Sequence, residues 1–236
     1  MGRLHPRAVA CRVQNAALGT IERVRRFDAR TCPCCGWHGL RFRSFAVLER
    51  MRTGAICPRC GSFERHRALA SFYPHFFARR GIRPARVIHL APEPCLGRIV
   101  AAQCELYETS AYGEASPANL RLDITCMDLP DDSCDALLLN HVLDCIPDDT
   151  PAIAEMYRVL RPGGLVLAVV TFEHGARTRA VPVASNSLYR VYGSEDLSEH
   201  FAPFDASSVN AAAHLSAAAR HAMGIPEVVT VVALER

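Results

Sequence analysis

Two short cysteine motifs near the start of the chain have the spacing of metal ligands. They are TCPCCGW (residues 31–37) and ICPRCGS (residues 56–62), and each contains Cys-Pro-x-Cys-Gly. Each Cys-x-x-Cys turn presents two thiolates, and the following glycine lets the backbone fold back beneath the metal. Two such turns supply the four soft ligands of a closed tetrahedral zinc site. We therefore predict a zinc ribbon with four metal ligands, Cys32, Cys35, Cys57 and Cys60.

The segment between the two motifs has room for a short hairpin. Cys35 and Cys57 are separated by 21 residues, and RFRSFAVLE can form the two strands. Cys34 fits the first turn less well than its neighbours and is interpreted as a bystander. A site with four sulfurs is coordinatively full, so the metal is expected to support a module too small for its own core.

A second candidate site is the stretch VIHLAPEPCLGRIV, residues 87–100. It predicts a strand, a turn and a helix at a place where nucleotide-binding domains usually carry glycines, yet the turn contains none. Ala91 is small enough for a ligand to approach the backbone, Pro92 stiffens the turn, and Glu93 offers a carboxylate. The alternative is that these residues only cap the strand.

From residue 85 onward, strand and helix patterns alternate. The strands are predicted in ARVIHLA, CELYETS, LRLDI, CDALLLN, GLVLAVVTF and VVTVVALE, and the helices in LGRIVAAQ, TPAIAEMYRVL and SEDLSEHF. Continuous apolar strands in such alternation are typical of an α/β fold with a doubly wound, mostly parallel sheet. Ligands of such sheets bind beyond the carboxyl ends of the strands.

These patterns predict four parts of the chain. They are a helical extension (1–28), the zinc ribbon (29–62), a linking helix (63–84) and a ligand-binding domain (85–236). In the linking helix, Ser62 can cap the start, Pro74 bends or splits it, and Gly81 ends it. The alanine-rich residues 205–222 are predicted to form a loop and a helix over the ligand pocket.

Composition and charge narrow the class of protein. Half of the 236 residues are hydrophobic, but no apolar run is long enough to span a bilayer, and the start lacks the pattern of a secretory signal. The eleven cysteines are therefore interpreted as thiols or metal ligands of a cytoplasmic protein. Residues 1–86 hold 18 arginines against 4 acids. This basic part either faces water and the acidic remainder of the chain or binds nucleic acid, and we favour the first interpretation.

Several motifs together resemble a known family. LNHVLDCIPDD (139–149) and MYRVLRPGGLVLAVV (156–170) resemble the fourth motif and the next helix-turn-strand of class I S-adenosylmethionine-dependent methyltransferases. The combination of the cysteine motifs, ERHR, VIHLAPEP, LDIT and RVYG is similar to bacterial zinc-ribbon methyltransferase-like proteins. The resemblance covers the chain from Cys32 to Gly193 and implies a Rossmann-like domain that binds S-adenosylmethionine (SAM).

The resemblance assigns the turn after the first strand to the cofactor. Most such enzymes have an acid and Gly-x-Gly here, whereas this chain, like the narrower group, has His89, Ala91, Pro92 and Glu93. The implied role of Glu93 is to bind the ammonium group of the methionine part.

Other roles follow from the same resemblance. Asp123 and Ile124 match positions that hydrogen-bond and cover the adenine. Asn140 and His141 end the fourth strand, where the methyl group faces the substrate. Tyr192, in RVYG, belongs to a segment near the pocket and is taken with His141 as a candidate catalytic residue.

The chain also departs from the family pattern. The acid that binds the ribose hydroxyls is replaced by Ala111, and Glu108 is the nearest carboxylate. Asp144-Cys145 replaces the usual Glu-His, and Leu188-Tyr189 stands where a histidine is common. These changes cluster on the substrate side of the expected site.

Three functions remain open on this basis. The leading one is a methyltransferase for a small molecule or natural-product intermediate, with His141 as the base because imidazole titrates near neutrality. His141 can equally be a packing residue. The second is other SAM chemistry, such as cyclisation or aminocarboxypropyl transfer. The third is a binding protein without activity, whose ribbon contacts nucleic acid or protein. The oligomeric state is not predicted.

Overall fold

The computed structural model describes residues 29–47, 50–112, 118–184 and 188–236. The helical extension predicted for residues 1–28 lies outside these ranges. The chain divides into two compact units, Met1–Phe76 with Ala211–Val229, and Phe77–Asn210 with Thr230–Arg236. Within the ranges described, no helix is long and apolar enough to cross a bilayer.

The described elements follow the predicted alternation. In chain order they are β1 (Arg30–Thr31), β2 (His38–Gly39), β3 (Arg43–Val47), β4 (Arg50–Ile56), α1 (Glu64–Arg80), β5 (Arg86–Leu90), α2 (Gly97–Ala101), β6 (Leu106–Ser110), β7 (Cys134–Asn140), a 3₁₀ turn (Leu143–Cys145), α3 (Thr150–Val159), β8 (Leu160–Val169), β9 (Phe172–Glu173), β10 (Arg179–Ala184), β11 (Leu188–Gly193), α4 (Leu197–His200), β12 (Asp205–Asn210), α5 (Ala217–Met223) and β13 (Thr230–Glu235).

The first unit is built around the cysteine motifs. β3 and β4 pair antiparallel and form the hairpin between the two motifs. Phe42 and Trp37 pack against the cysteines as a small apolar core. α1 continues through Pro74 without splitting, contrary to one of the predicted outcomes, and it ends at Gly81, whose φ is 64°.

A buried arginine joins the two chain segments of the first unit. Arg67 is fully buried and its guanidinium lies 3.8 Å above the Phe42 ring. It donates hydrogen bonds to five backbone carbonyls, those of Gly54, Ala55, Ser62, Met223 and Gly224. We predicted that the alanine-rich segment lies over the pocket of the ligand-binding domain. The compact division instead groups Ala211–Val229 with the ribbon, and these contacts are the physical reason.

The second unit contains the six-stranded sheet. Its order is β12-β13-β8-β7-β5-β6, with β6, β5, β7 and β8 parallel and the last two strands antiparallel. The central strands are buried on both faces, as their continuous apolar sequences predict. β9, β10 and β11 form a separate small sheet that follows β8.

The strand predicted in LRLDI does not form. Residues 120–124 make only isolated bridges, Ser110↔Leu120 and Asp123↔Cys126. The Leu122 N–H donates to the hydroxyl of Ser110 at 3.1 Å rather than to a backbone carbonyl. A side chain thus replaces the ladder partner, and the segment turns back on itself.

Candidate functional site

The four predicted ligand cysteines of the first unit come together. Their sulfurs all lie within 4.8 Å of one another. The Sγ atoms of Cys32 and Cys60 are 3.7 Å apart, as are those of Cys35 and Cys57. A tetrahedral zinc site with Zn–S bonds of about 2.3 Å requires sulfur separations of about 3.8 Å. The spacing therefore fits that donor set.

The glycines after each cysteine pair have the expected conformation. Gly36 and Gly61 have φ values of 69° and 73°. Their N–H groups donate to the carbonyls of Cys32 and Cys57, which closes each knuckle. Ser62, predicted to cap α1, has its hydroxyl 3.2 Å from the Cys32 sulfur. A hydroxyl at this distance stabilises a thiolate by hydrogen bonding.

A polar cluster lies at the carboxyl ends of β5 and β7 in the second unit. These strands are parallel neighbours, so their tips meet at one edge of the sheet. Asn140 Nδ2 donates to Glu93 Oε2 at 2.7 Å. His89 is fully buried, with Nε2 3.3 Å from the same carboxylate oxygen and Nδ1 3.0 Å from the Tyr107 hydroxyl. The structure thus brings together three of the predicted cofactor-binding residues, His89, Glu93 and Asn140.

The amide of Asn140 is oriented by this carboxylate. An ionised carboxylate only accepts hydrogen bonds, so the side-chain nitrogen of Asn140 must face Glu93. The other end of the amide, Oδ1, is buried and has no hydrogen-bond partner among the described residues. A buried acceptor without a donor costs about 1–3 kcal/mol, which makes this atom a candidate for a bound ligand.

Backbone conformation explains how the turn after β5 works without glycine. Ala91 has a φ of 48°, in the left-handed region that glycine adopts easily. Its N–H donates to the carbonyl of Ser110 at 2.8 Å. Ala91 therefore follows the path that a glycine would take, and Pro92 precedes Glu93 in the same bend.

His141 at the end of β7 is paired with a buried acid. Its Nδ1 lies 3.0 Å from Asp144 Oδ2, and the same oxygen accepts from the Thr171 N–H and hydroxyl at 2.9 and 2.7 Å. Asp144 is 1% exposed, whereas the side chain of His141 is 37% exposed. Burial would raise the pKa of Asp144, but the hydrogen bonds from His141 and Thr171 hold it below its usual value. We call this pair the His141–Asp144 dyad.

The predicted adenine-binding residues are placed differently. Asp123 accepts hydrogen bonds from the N–H and hydroxyl of Thr125, and these bonds lower its pKa. Ile124 is buried in the core of the second unit. Its side chain is already packed, which goes against its predicted role of covering the adenine.

Glu108 is not at the carboxyl edge of the sheet. Its carboxylate lies 2.5 Å from Arg86 Nε, at the beginning of β5. This pairing contradicts the suggestion that Glu108 replaces the missing ribose-binding acid. Ala111 follows β6 directly, and residues 113–117 lie outside the described ranges. No ribose-binding acid is assigned.

Tyr192 is buried and cannot reach a substrate. Its ring stacks on Phe201, with centroids 5.3 Å apart, and its hydroxyl donates to Asp149 at 2.6 Å. Burial raises the pKa of Tyr192, and the charge of Asp149 raises it further, so the hydroxyl keeps its proton. These contacts overturn the predicted catalytic role of Tyr192.

Sequence reasoning missed the partners that orient the predicted residues. Thr171, which follows β8, and Tyr107, on β6, had no assigned role. Asp144 was considered only as a second-choice base, although its position three residues after His141 was a usable signal. The contact with Thr171 depends on β7 and β8 being neighbours, which the local sequence does not state.

Comparisons with known proteins agree with this architecture. Residues 95–168 match the family Methyltransf_11, described as a methyltransferase domain. That segment runs from the turn before α2 through most of β8 and includes Asn140 and the dyad. Together with the strand order and the antiparallel last pair, the match defines the class I methyltransferase fold. A search of curated proteins gave no match.

Solved structures with a similar backbone include three described in words as follows. The 1,6-didemethyltoxoflavin-N1-methyltransferase of Burkholderia thailandensis is 19% identical, with a TM-score of 0.49, and the match covers 73% of this chain and 78% of that one. The SAM-dependent methyltransferase of Mesorhizobium loti is 14% identical, with a TM-score of 0.47, covering 70% and 98%. The [4+2]-cyclase SpnF is 16% identical, with a TM-score of 0.43, covering 71% and 80%.

Proposed function

We propose that the chain is a SAM-dependent class I methyltransferase that acts on a small molecule and carries a structural zinc. The observation that carries the proposal is the pair of polar groups at the carboxyl edge of the sheet. On β5 and β7, Glu93 and Asn140 form a cofactor cradle, and the next residue along β7 begins the dyad. The match to the methyltransferase domain supports the same reading of this edge.

The residues of the cradle fit the methionine end of SAM. An ammonium group donates three hydrogen bonds and accepts none, so it requires a cluster of acceptors. Glu93 supplies a carboxylate, and Asn140 Oδ1 is a buried acceptor with no partner among the described residues. The left-handed backbone at Ala91 keeps the turn close to the path of the glycine-containing relatives. These residues, with His89 as support for Glu93, would hold the cofactor.

The dyad supplies a general base beside this cradle. SAM, when bound, provides an electrophilic methyl group on a sulfonium. Because Asp144 accepts from Nδ1, the neutral imidazole of His141 has its lone pair on Nε2. The exposed Nε2 can remove a proton from the attacking group, and the anionic Asp144 stabilises the imidazolium that results.

A base of this kind indicates the class of acceptor. Alignment of nucleophile and methyl group suffices for an amine or thioether that is already unprotonated, whereas a hydroxyl or an acidic N–H gains from proton removal. We therefore propose an O–H or N–H acceptor. The departures from the family pattern at Asp144 and Cys145 are on the substrate side, which favours a specialised small molecule such as a natural-product intermediate.

The cysteine cluster is proposed to bind one zinc ion with a structural role. Four cysteine sulfurs at tetrahedral spacing leave no open position for substrate. The described cysteines are all free thiols, which fits a reducing compartment, and we propose a cytoplasmic location.

Calorimetry with SAM tests the cofactor proposal on zinc-loaded, full-length protein. We expect binding by the wild type and an affinity at least about tenfold weaker for Glu93→Gln, because a charge-assisted hydrogen bond contributes about 1.5–3 kcal/mol. Glu108→Gln is the matched control and should bind normally, since Glu108 pairs with Arg86. No heat with the folded wild type, or equal loss in both variants, contradicts the proposal.

Product analysis then separates methyl transfer from other SAM chemistry. The proposed reaction yields S-adenosylhomocysteine with each methylated acceptor. Methylthioadenosine as the product would show aminocarboxypropyl transfer or cyclisation instead, and the methyltransferase assignment would be withdrawn.

A further inference from the structure

Asp149 stands at the N-cap position of α3 without capping it. Its side chain makes no hydrogen bond to the first turn of the helix, although an aspartate cap is worth about 1 kcal/mol. The neighbouring Asp148 accepts from the Thr150 N–H at 3.0 Å instead. The carboxylate of Asp149 therefore serves other groups of the second unit.

Three side chains from β11 and α4 converge on this carboxylate. The hydroxyl of Tyr192 donates at 2.6 Å, His200 Nε2 lies 2.8 Å away, and Arg190 Nη1 lies 3.1 Å away. Asp149 is 2% exposed. Burial would raise its pKa, but the hydrogen bonds from His200 and Tyr192 keep it below the usual value. Asp149 is thus a buried carboxylate that remains ionised by its partners.

Tyr192 also contacts the residue that orients the dyad. Its N–H donates to the carbonyl of Thr171 at 2.9 Å. Thr171 in turn donates two hydrogen bonds to Asp144. Tyr192 therefore joins Thr171 through its backbone and Asp149 through its hydroxyl. Since the chain from Asp144 to Asp149 is continuous, these contacts close a ring.

A second contact holds the same stretch of chain. Arg190 Nη2 donates to the carbonyl of Pro147 at 3.3 Å, while its other nitrogen is paired with Asp149. The segment that carries the dyad is thus fixed near its start by Thr171 and at its end by β11.

We propose that Tyr192 and Asp149 are positioning residues for the His141–Asp144 dyad. The inference rests on the proposed methyltransferase function and assigns these two residues a part in it. With the ring intact, the segment has one conformation and Asp144 stays beneath His141. A displacement of about 1 Å at a catalytic group can lower the rate by about 10²-fold.

Tyr192→Phe in the zinc-loaded, full-length protein tests this inference. Tyr157→Phe, on α3, is the matched control because it removes the same atom outside the ring. For Tyr192→Phe we expect SAM affinity within about twofold of the wild type and kcat lower by about 10- to 100-fold. The control should keep both values. Equal kcat in the two variants, or a loss of SAM affinity that accounts for the change, overturns the inference.

A double-mutant cycle distinguishes positioning from general destabilisation. If Tyr192 acts through His141, adding Tyr192→Phe to His141→Ala should change the remaining rate by less than about twofold. Losses that multiply in full would show that the two residues act independently, contrary to the inference.

The ring nitrogens of His141 give a readout that needs no acceptor. Their ¹⁵N chemical shifts distinguish the Nδ1–H form held by Asp144 from the Nε2–H form. Tyr192→Phe should mix the two forms, and Tyr157→Phe should not. Unchanged shifts in Tyr192→Phe refute the inference even if activity falls. The expected change in a protein that methylates nothing would keep the positioning role and remove the proposed function.

Asp149→Asn provides the same tests should Tyr192→Phe lose its cooperative unfolding transition. It keeps the size of the side chain and removes the charge that receives the three donors. The same mixing of imidazole forms is expected, and its absence contradicts the inference.

Discussion

Two residues at the strand tips have backbone conformations that side chains rarely adopt. Ala91 and His141 have φ values of 48° and 55°. A left-handed conformation costs a non-glycine residue roughly 1–2 kcal/mol, and such strain tends to persist at functional sites. At Ala91 the strain preserves the turn that holds Glu93. At His141 it aims the imidazole back toward Asp144.

Substitution of Ala91 tests this strain. Ala91→Gly removes the steric cost but adds chain entropy to the unfolded state, so the free energy of unfolding should rise by up to about 1 kcal/mol. Ala91→Val adds a β-branched side chain and should lower it by at least about 1 kcal/mol. Urea unfolding at neutral pH measures both. A glycine variant less stable than the valine variant would show that Ala91 is unstrained.

The contacts of single residues also show where sequence reasoning ended. Glu93 and His141 could be predicted because each is the polar residue at the tip of an apolar strand. The partners of these residues could not, because Thr171 reaches Asp144 only through the pairing of β7 with β8. Glu108 and Tyr192 were misjudged for a similar reason, since the direction of a side chain depends on its neighbouring strand.

At the scale of elements, the small sheet after β8 is packed too closely to allow any side chain at Gly193. A Cβ there would lie 2.1 Å from the carbonyl oxygen of Ala176, which is backbone and cannot move aside. This explains the glycine of the RVYG motif without a role in binding. The motif therefore combines a packing requirement at Gly193 with the buried hydroxyl of Tyr192.

Gly193→Ala should destabilise the second unit. Overpacking against backbone costs typically 1–3 kcal/mol, and we expect a loss of about 2 kcal/mol or more in the free energy of unfolding. Gly97→Ala is the control, because a Cβ on α2 would meet only Tyr107, at 3.8 Å. Chemical denaturation compares the two variants. Similar stabilities would mean that the turn at Ala176 yields easily.

The segment between β7 and α3 is expected to make stability depend on acid. The pKa values of Asp144 and Asp149 are below their usual range in the folded protein. Near pH 4 the unfolded chain therefore binds more protons than the folded one, and stability falls as pH drops below about 4. Asp149→Asn should reduce this slope in denaturation curves recorded from pH 5 to pH 2. An unchanged slope contradicts the account of Asp149.

The order of elements was largely predictable from apolar periodicity, with one exception that has a physical cause. LRLDI has the composition of a strand, but the hydroxyl of Ser110 takes the N–H of Leu122 and the chain turns at Asp123. Competition between a side chain and the backbone ladder is not visible in a hydrophobic pattern. The domain boundary was also missed, because Arg67 contacts carbonyls far away in sequence.

At the scale of the whole molecule, the chain enters the first unit twice. Arg67 bonds to the carbonyls of Ala55 and Ser62, which flank the second cysteine motif, and to Met223 and Gly224 at the end of α5. Leaving several buried carbonyls without donors is costly. The metal proposed for the cysteines should therefore also fix the segment Ala211–Val229.

Removal of the metal tests this coupling. Chelation, or Cys57→Ser, should abolish binding of about one zinc per chain and open both parts of the first unit. Limited trypsin digestion with mass spectrometry should then show new cleavage after Arg220 on α5 as well as after Arg59. Sites within the six-stranded sheet should stay protected. Cleavage at Arg59 alone would show that the later segment is stable without the ribbon.

A crystal structure of the chain with S-adenosylhomocysteine tests the central claim most directly. We expect the amino group of the ligand to lie about 3 Å from both the Glu93 carboxylate and Asn140 Oδ1. The sulfur should face Nε2 of His141 across the space left for the acceptor. A nucleoside bound elsewhere in the second unit, or a crevice at β5 and β7 filled by the protein's own side chains, would contradict the account.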